Sequence, residues 1–313
     1  MKLVENIAVN SERGQSAFTR IDLLVVLLTL GILAVMLLPA LARTRVKPQG
    51  TQCLYNLRQI ISAWQMYADD SNGKLAPNHG AFPPNPDYAG APIWVNGNMG
   101  GGMTQTGIND PTNSPLLVDP NYSSLGPYVK NPALYRCPSD LSTWYGQPRV
   151  RSYSMNAAVG CAFNGTRQDP GHDELGYWLE GRNGTTPGPW QTYIKNSDLI
   201  GILPPSGLFV LLDEHPDSIN DASFAVSMPV SPPATYWVDV PAAYHASGCD
   251  FSFADGHVEF HNWQNPGAFP PIVWEASNAF LKVGAAVLDN QDVNWVAHHT
   301  TCLQPGVTGV YYP

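Results

Sequence analysis

Charge is what this sequence has little of. Only 13% of its 313 residues are charged, 16 basic against 25 acidic, giving a formal net charge of −9 and a pI near 5.2. That balance argues against recognition of nucleic acid through a basic patch. The short signatures of common chemistry are also missing: no nucleophile elbow, no phosphate-cradling glycine loop and no paired Cys–His arrangement. The five cysteines, Cys53, Cys137, Cys161, Cys249 and Cys302, never fall in CxxC spacing, which argues against a thiolate zinc site. In an oxidising compartment they can form one or two disulfides with a thiol left over. The other reading is five buried, reduced thiols, and spacing selects no pairing.

What is abundant is proline and glycine, 29 and 28 residues, which suits one large loop-rich domain more than a helical bundle. Leu23 to Ala42 carries no charge, and only Thr29, Gly31 and Pro39 interrupt its apolar character. Roughly 20 such residues at about 1.5 Å per residue match a bilayer core of about 30 Å, so the run predicts a membrane-spanning helix. A polar leader, Met1 to Ser16, precedes it. A secretory signal has its small-residue cut site after the apolar run. Here Ala17 comes before it, so a cut there leaves the hydrophobic helix on the mature chain. Arg43, Arg45 and Lys47 follow the run, and by charge bias alone they would place the C-terminal domain in the cytoplasm.

Ala17-Phe18-Thr19-Arg20-Ile21-Asp22-Leu23 resembles the prepilin cleavage and methylation signal of type IV pilins and type II secretion pseudopilins. Ala17 stands where Gly is usual and Asp22 where Glu is usual, while Pro39 sits at a helix-bending position. His245, nine further residues and then Asp255-Gly256 match the H-x9-DG signature of a pilin-like family. The resemblance implies an α+β fold, in which a long N-terminal helix, half transmembrane and half amphipathic, packs on a loop-rich antiparallel sheet. It implies a leader at 1–17, a transmembrane and polymerisation helix at 18–42, an amphipathic half at 43–72 and a head at 73–313. It places the leader in the cytoplasm, against the charge bias, with a single pass of the inner membrane and a periplasmic head that later joins a periplasmic or surface filament. The implied partners are copies of the chain, a prepilin peptidase cutting between Ala17 and Phe18, an inner-membrane assembly platform, and lipid before assembly. No cofactor is required, and the expected function is structural rather than enzymatic.

Along the chain, Leu54, Leu57, Ile61 and Trp64 recur at three and four residues, so one long helix is expected from about Ile21 to Tyr67, closed by Asn72-Gly73. Lys74 to Gln147 is expected to be ordered loop with short helices near Pro115 and Asn131. Strands are expected at Arg149–Asn156, Leu208–Asp213 and Tyr236–Val240. Cys249 to Asn262, CDFSFADGHVEFHN, predicts a hairpin about a two-residue Asp255-Gly256 turn. That register sets Phe253 opposite Val258 and Phe251 opposite Phe260 on an apolar face. On the other face Ser252 lies opposite Glu259, and Asp250 opposite His261.

Two groups of residues are candidate metal ligands. The loop holding Asp213, Asp217, Asn220 and Asp221 concentrates oxygen ligands of the kind calcium takes, although its spacing is not that of an EF-hand. His257, Glu259 and His261 share one strand face and can ligate zinc or another divalent ion. The plainer readings are an acidic turn and a solvated strand face. For His245 a structural role in locking the start of the hairpin is preferred. Beside the filament subunit stand two alternatives, a membrane-anchored metal-dependent hydrolase and an anchored surface-binding module.

Overall fold

The computed structural model describes residues 20–78, 92–100, 109–160, 189–228, 236–274 and 291–308, with the backbone alone at 34, 36–49, 227 and 236. The chain divides into two compact units, Met1–Arg45 and Val46–Pro313. Helix α1 is Arg20–Asp70, 51 residues. In the first unit its described apolar side chains, from Ile21 to Val35, are all solvent-exposed, between 43% at Val26 and 71% at Ile21.

In the second unit Cys53, Leu57, Ile60, Ile61, Trp64 and Ala68 of α1 are buried. They recur at three and four residues, the stripe by which a helix packs on a core. The helix closes on left-handed Asn72 (φ 55°) and Gly73 (φ 77°), and the Gly73 N–H donates to the Ala68 carbonyl at 2.8 Å. That bond satisfies a carbonyl the helix end would otherwise leave open.

Short helices α2, Pro115–Val118, and α3, Gly126–Val129, lead to a small hairpin of β1, Thr143–Trp144, and β2, Gln147–Pro148. The central strands are β3, Tyr153–Asn156, β4, Phe209–Asp213, and β5, Ser223–Phe224. A two-strand ribbon pairs β6, Val226–Ser227, with β7, Tyr236–Trp237. Then come β8, Gly248–Phe253, β9, Val258–Asn262, and helix α4, Gln291–Thr300. The main sheet has the order β5-β3-β4-β8-β9. Every residue of β3, β4 and β8 is buried, so burial does not alternate along these strands, although only β4 is a continuous apolar run.

The expected architecture is corrected in three places. First, among the described residues no helix is long and apolar enough to cross a membrane. The transmembrane helix at 18–42, the pilin assignment built on it, and the single-pass inner-membrane location with a periplasmic head are therefore not supported. Second, the sheet is mixed, not antiparallel, because β5 joins β3 in parallel.

Third, the β8–β9 register is one residue away from the expected one. Phe251 pairs with Glu259, Cys249 with His261, and Asp250 with Phe260. The turn is the cause. Gly256 N–H donates to the Phe253 carbonyl at 2.9 Å and Phe253 N–H to the His257 carbonyl at 3.0 Å, with Gly256 at φ 92°. Ala254 and Asp255 therefore occupy the centre of the turn, and Gly256 follows as a left-handed bulge residue. A three-residue loop replaces the two-residue one. A slip of one residue exchanges the faces of a strand. His257, Glu259 and His261 now share a face with Phe251 and Phe253, while Phe260 shares one with Asp250.

Candidate functional site

The sheet face on which Tyr153, Asp213 and Asp250 lie is polar at one end. Tyr153 pairs directly with Asp213, and Leu211 with Ser252, so alternation puts Asp213, Ser252 and Asp250 on one side. The α1 stripe meets that side. The Cys53 Sγ lies 3.0 Å from the Tyr153 hydroxyl and 3.6 Å from Asp213 Oδ2. The segment before β8 supplies His245, whose Nε2 is 2.8 Å from Asp213 Oδ2 and 2.9 Å from the Cys137 Sγ. Tyr244 donates its hydroxyl to Asp213 Oδ1 at 2.6 Å, so both oxygens of that carboxylate are engaged.

One ligand atom each from Cys53, Cys137, Asp213 and His245 lie within 4.8 Å of one another, and all four residues are buried. It is the only group of three or more such side chains among the described residues placed to hold a metal ion. Two thiols, an imidazole and a carboxylate are the donor types that zinc takes. Beside them both carboxylate oxygens of Asp250 are buried without a hydrogen-bond partner, as is His245 Nδ1. Asp250 Oδ2 stands 3.9 Å from His245 Nε2, beyond hydrogen-bonding reach.

Burial governs the protonation of the group. It pushes the Cys53 thiol well above its ordinary range and raises the Asp250 carboxyl to about 7. Burial also raises Asp213, although His245 and Tyr244 pull it back. On His245 burial acts downward, but hydrogen bonds to Asp213 and Cys137 outweigh it and lift the imidazole to about 11. The shifts on Asp213 and His245 conflict for an independent ion pair, since one favours the neutral acid and the other the charged base. The 2.8 Å contact reconciles them, because a proton held between the two satisfies both.

The expected sites are distributed otherwise. Ala17 and Phe18 lie outside the described residues, as does the side chain of Pro39. Asp22 is exposed in the first turn of α1. In the acidic loop the side chains diverge. Asp213 turns to His245, Asp217 Oδ2 accepts from Val273 N–H at 2.6 Å, and Asp221 Oδ1 accepts from Ser223 N–H at 2.7 Å. Asn220 Oδ1 is buried without a partner.

On β9, His257 stacks on Phe253 at 4.3 Å between ring centroids, and His261 on Trp295 of α4 at 3.7 Å. Glu259 Oε2 stands 4.0 Å from His257 Nε2. The three point along a packed face rather than at one point. Within the H-x9-DG signature, the His245 backbone carbonyl accepts from Gly248 N–H at 2.8 Å, which closes the start of β8. The imidazole itself serves the buried cluster. Asp255 Oδ1 accepts from His257 N–H at 3.0 Å, and Gly256 supplies the left-handed turn residue.

Reading by residue type singled out Asp213 and His245 and set Asp250 beside the β9 histidines, but it missed Cys53, Cys137, Tyr153 and Tyr244. CxxC spacing has no bearing on this group, because its two thiols come from separate segments. The four described cysteines, Cys53, Cys137, Cys249 and Cys302, are free thiols. No family model matches this chain, and no curated protein and no solved structure matches it significantly.

Proposed function

We propose that this chain is a structural subunit that assembles with copies of itself through the first half of α1. The observation that carries the reading is exposure on every side. Ile21, Leu23, Leu24, Val25, Val26, Leu27, Leu28, Leu30, Ile32, Leu33 and Val35 are all exposed. Successive helical residues turn by about 100°, so this run is apolar around the whole circumference. A single partner groove covers one stripe and leaves the remainder in water. Several parallel helices cover all of it, and identical chains supply identical helices. A filament of copies meets that requirement, with the second unit carried as its head.

The test is direct. Full-length protein is followed by sedimentation velocity and negative-stain microscopy, alongside Leu24→Lys and Leu28→Lys. The expectation is filaments or large helical assemblies from the native chain and none from either variant, with unchanged circular dichroism of the head. A native chain that stays monomeric at high concentration, or lysine variants that assemble equally well, would overturn the proposal.

A further inference from the structure

We propose that Cys53, Cys137, Asp213 and His245 bind a structural zinc ion that fastens α1 to the sheet. The ligands come from four separated places: the buried stripe of α1, the segment before β1, the end of β4 and the segment before β8. Tetrahedral zinc with bonds of about 2.0–2.3 Å holds its ligand atoms roughly 3.3–3.8 Å apart. Two of the observed separations fall short of that span and one lies within it. His245 Nε2 lies 2.8 Å from Asp213 Oδ2 and 2.9 Å from Cys137 Sγ, and Cys53 Sγ lies 3.6 Å from Asp213 Oδ2. About half an ångström of outward movement at His245 would bring its two short contacts to that spacing, and all four ligand atoms already lie within 4.8 Å of one another.

The chemistry agrees with the geometry. Two sulfur donors with an imidazole select zinc over calcium or magnesium, which take oxygen ligands. Four protein donors leave no open coordination position, so the site is structural rather than catalytic. Without a cation, the His245 Nε2 serves a thiol and a carboxylate at once, and the buried Asp250 carboxylate has no hydrogen-bond partner. A divalent ion would place positive charge among the two thiols and the buried Asp213 and Asp250 carboxyl groups, offsetting part of the cost of their ionisation. The group borders a cleft on its Cys137 side. That cleft, of about 700 Å³, includes Cys137, Arg136, Asn56 and Asp140 in its wall.

The inference is independent of self-assembly and is tested apart from it. The full chain, purified without chelators, is analysed for metal by mass spectrometry and then reconstituted with cobalt(II) as a coloured stand-in for zinc. The expected result is close to one zinc per chain, with the sulfur-to-cobalt charge-transfer band and intense visible bands of a tetrahedral thiolate site. Cys137→Ser and His245→Ala should lose the metal, and His257→Ala with Glu259→Ala should keep it. Because the first two variants can also weaken the fold, the native chain carries the decision. Native protein that holds no zinc and gives no charge-transfer band with cobalt would overturn the proposal. So would a disulfide between Cys53 and Cys137 found by peptide mapping.

Discussion

Replacing Phe251 with alanine tests the β8–β9 register and the core built on it. Phe251 has no exposure. Its ring centroid is 5.1 Å from Trp295, 5.6 Å from Phe209 and 6.1 Å from Trp263, each edge-on. Truncating a buried phenylalanine costs about 3–5 kcal/mol, cavity included. Edge-to-face partners each add about 0.5–1.5 kcal/mol beyond area burial, though not additively. The loss should therefore fall near the top of the range, about 4–5 kcal/mol. At roughly 2–4 °C per kcal/mol for a domain of this size, melting drops by roughly 8–20 °C. Phe260 pairs with Asp250 on the other face of the hairpin and is only half-buried. Phe260→Ala should cost about 1–2 kcal/mol, the burial of part of one ring. Thermal unfolding of the full chain by circular dichroism reads both. A Phe260→Ala loss as large as that of Phe251→Ala would put the two rings on one core face and refute this register.

Gly160 has φ 73°, and a Cβ there would run into the carbonyl of Ala76, so Gly160→Ala should destabilise by more than about 3 kcal/mol, read in the same melts; a loss under 1 kcal/mol would refute the close approach. Burial lowers the pKa of both His261 and His299, with Asp292 and Glu259 respectively pulling upward, so the fold prefers both rings neutral. The unfolded chain then binds more protons, and stability present above about pH 6.5 should fall as pH drops below it. His261→Gln with His299→Gln should flatten that slope, and an unchanged slope would remove these rings as its cause.

Much of the second unit could be read locally. The stripe Leu57, Ile61 and Trp64 is buried on α1, and short helical turns stand at Pro115–Val118 and Pro132–Tyr135. Phe209–Asp213 is a central strand, buried at every position. The parallel β3–β5 pair could not be read, because β5 is only Ser223–Phe224 and two residues carry no periodicity. The hairpin failed for a sharper reason. Asp-Gly is the preferred pair for a two-residue turn, yet Gly256 serves equally as the bulge residue of a three-residue one. With β8 buried on both faces, alternation there could not arbitrate between the two registers.

The cluster was illegible for a related reason. Cys53 sits four residues before Leu57 on an apolar helical stripe, where a thiol is indistinguishable from any small core residue. Cys137 is isolated in a loop-rich stretch, and nothing near it in sequence marks a ligand. Asp213 was visible, but its neighbours Asp217, Asn220 and Asp221 suggested a calcium loop. The strand decides otherwise. As the last residue of β4, Asp213 has its direction fixed by pairing with Tyr153, whose hydroxyl meets Cys53. The loop residues that follow are free of that constraint and turn to backbone N–H groups instead. Sheet register, not sequence proximity, therefore selects the partners of Asp213. It joins one acidic residue of the loop to thiols 160 and 76 positions away by residue number, in a group that only the assembled fold defines.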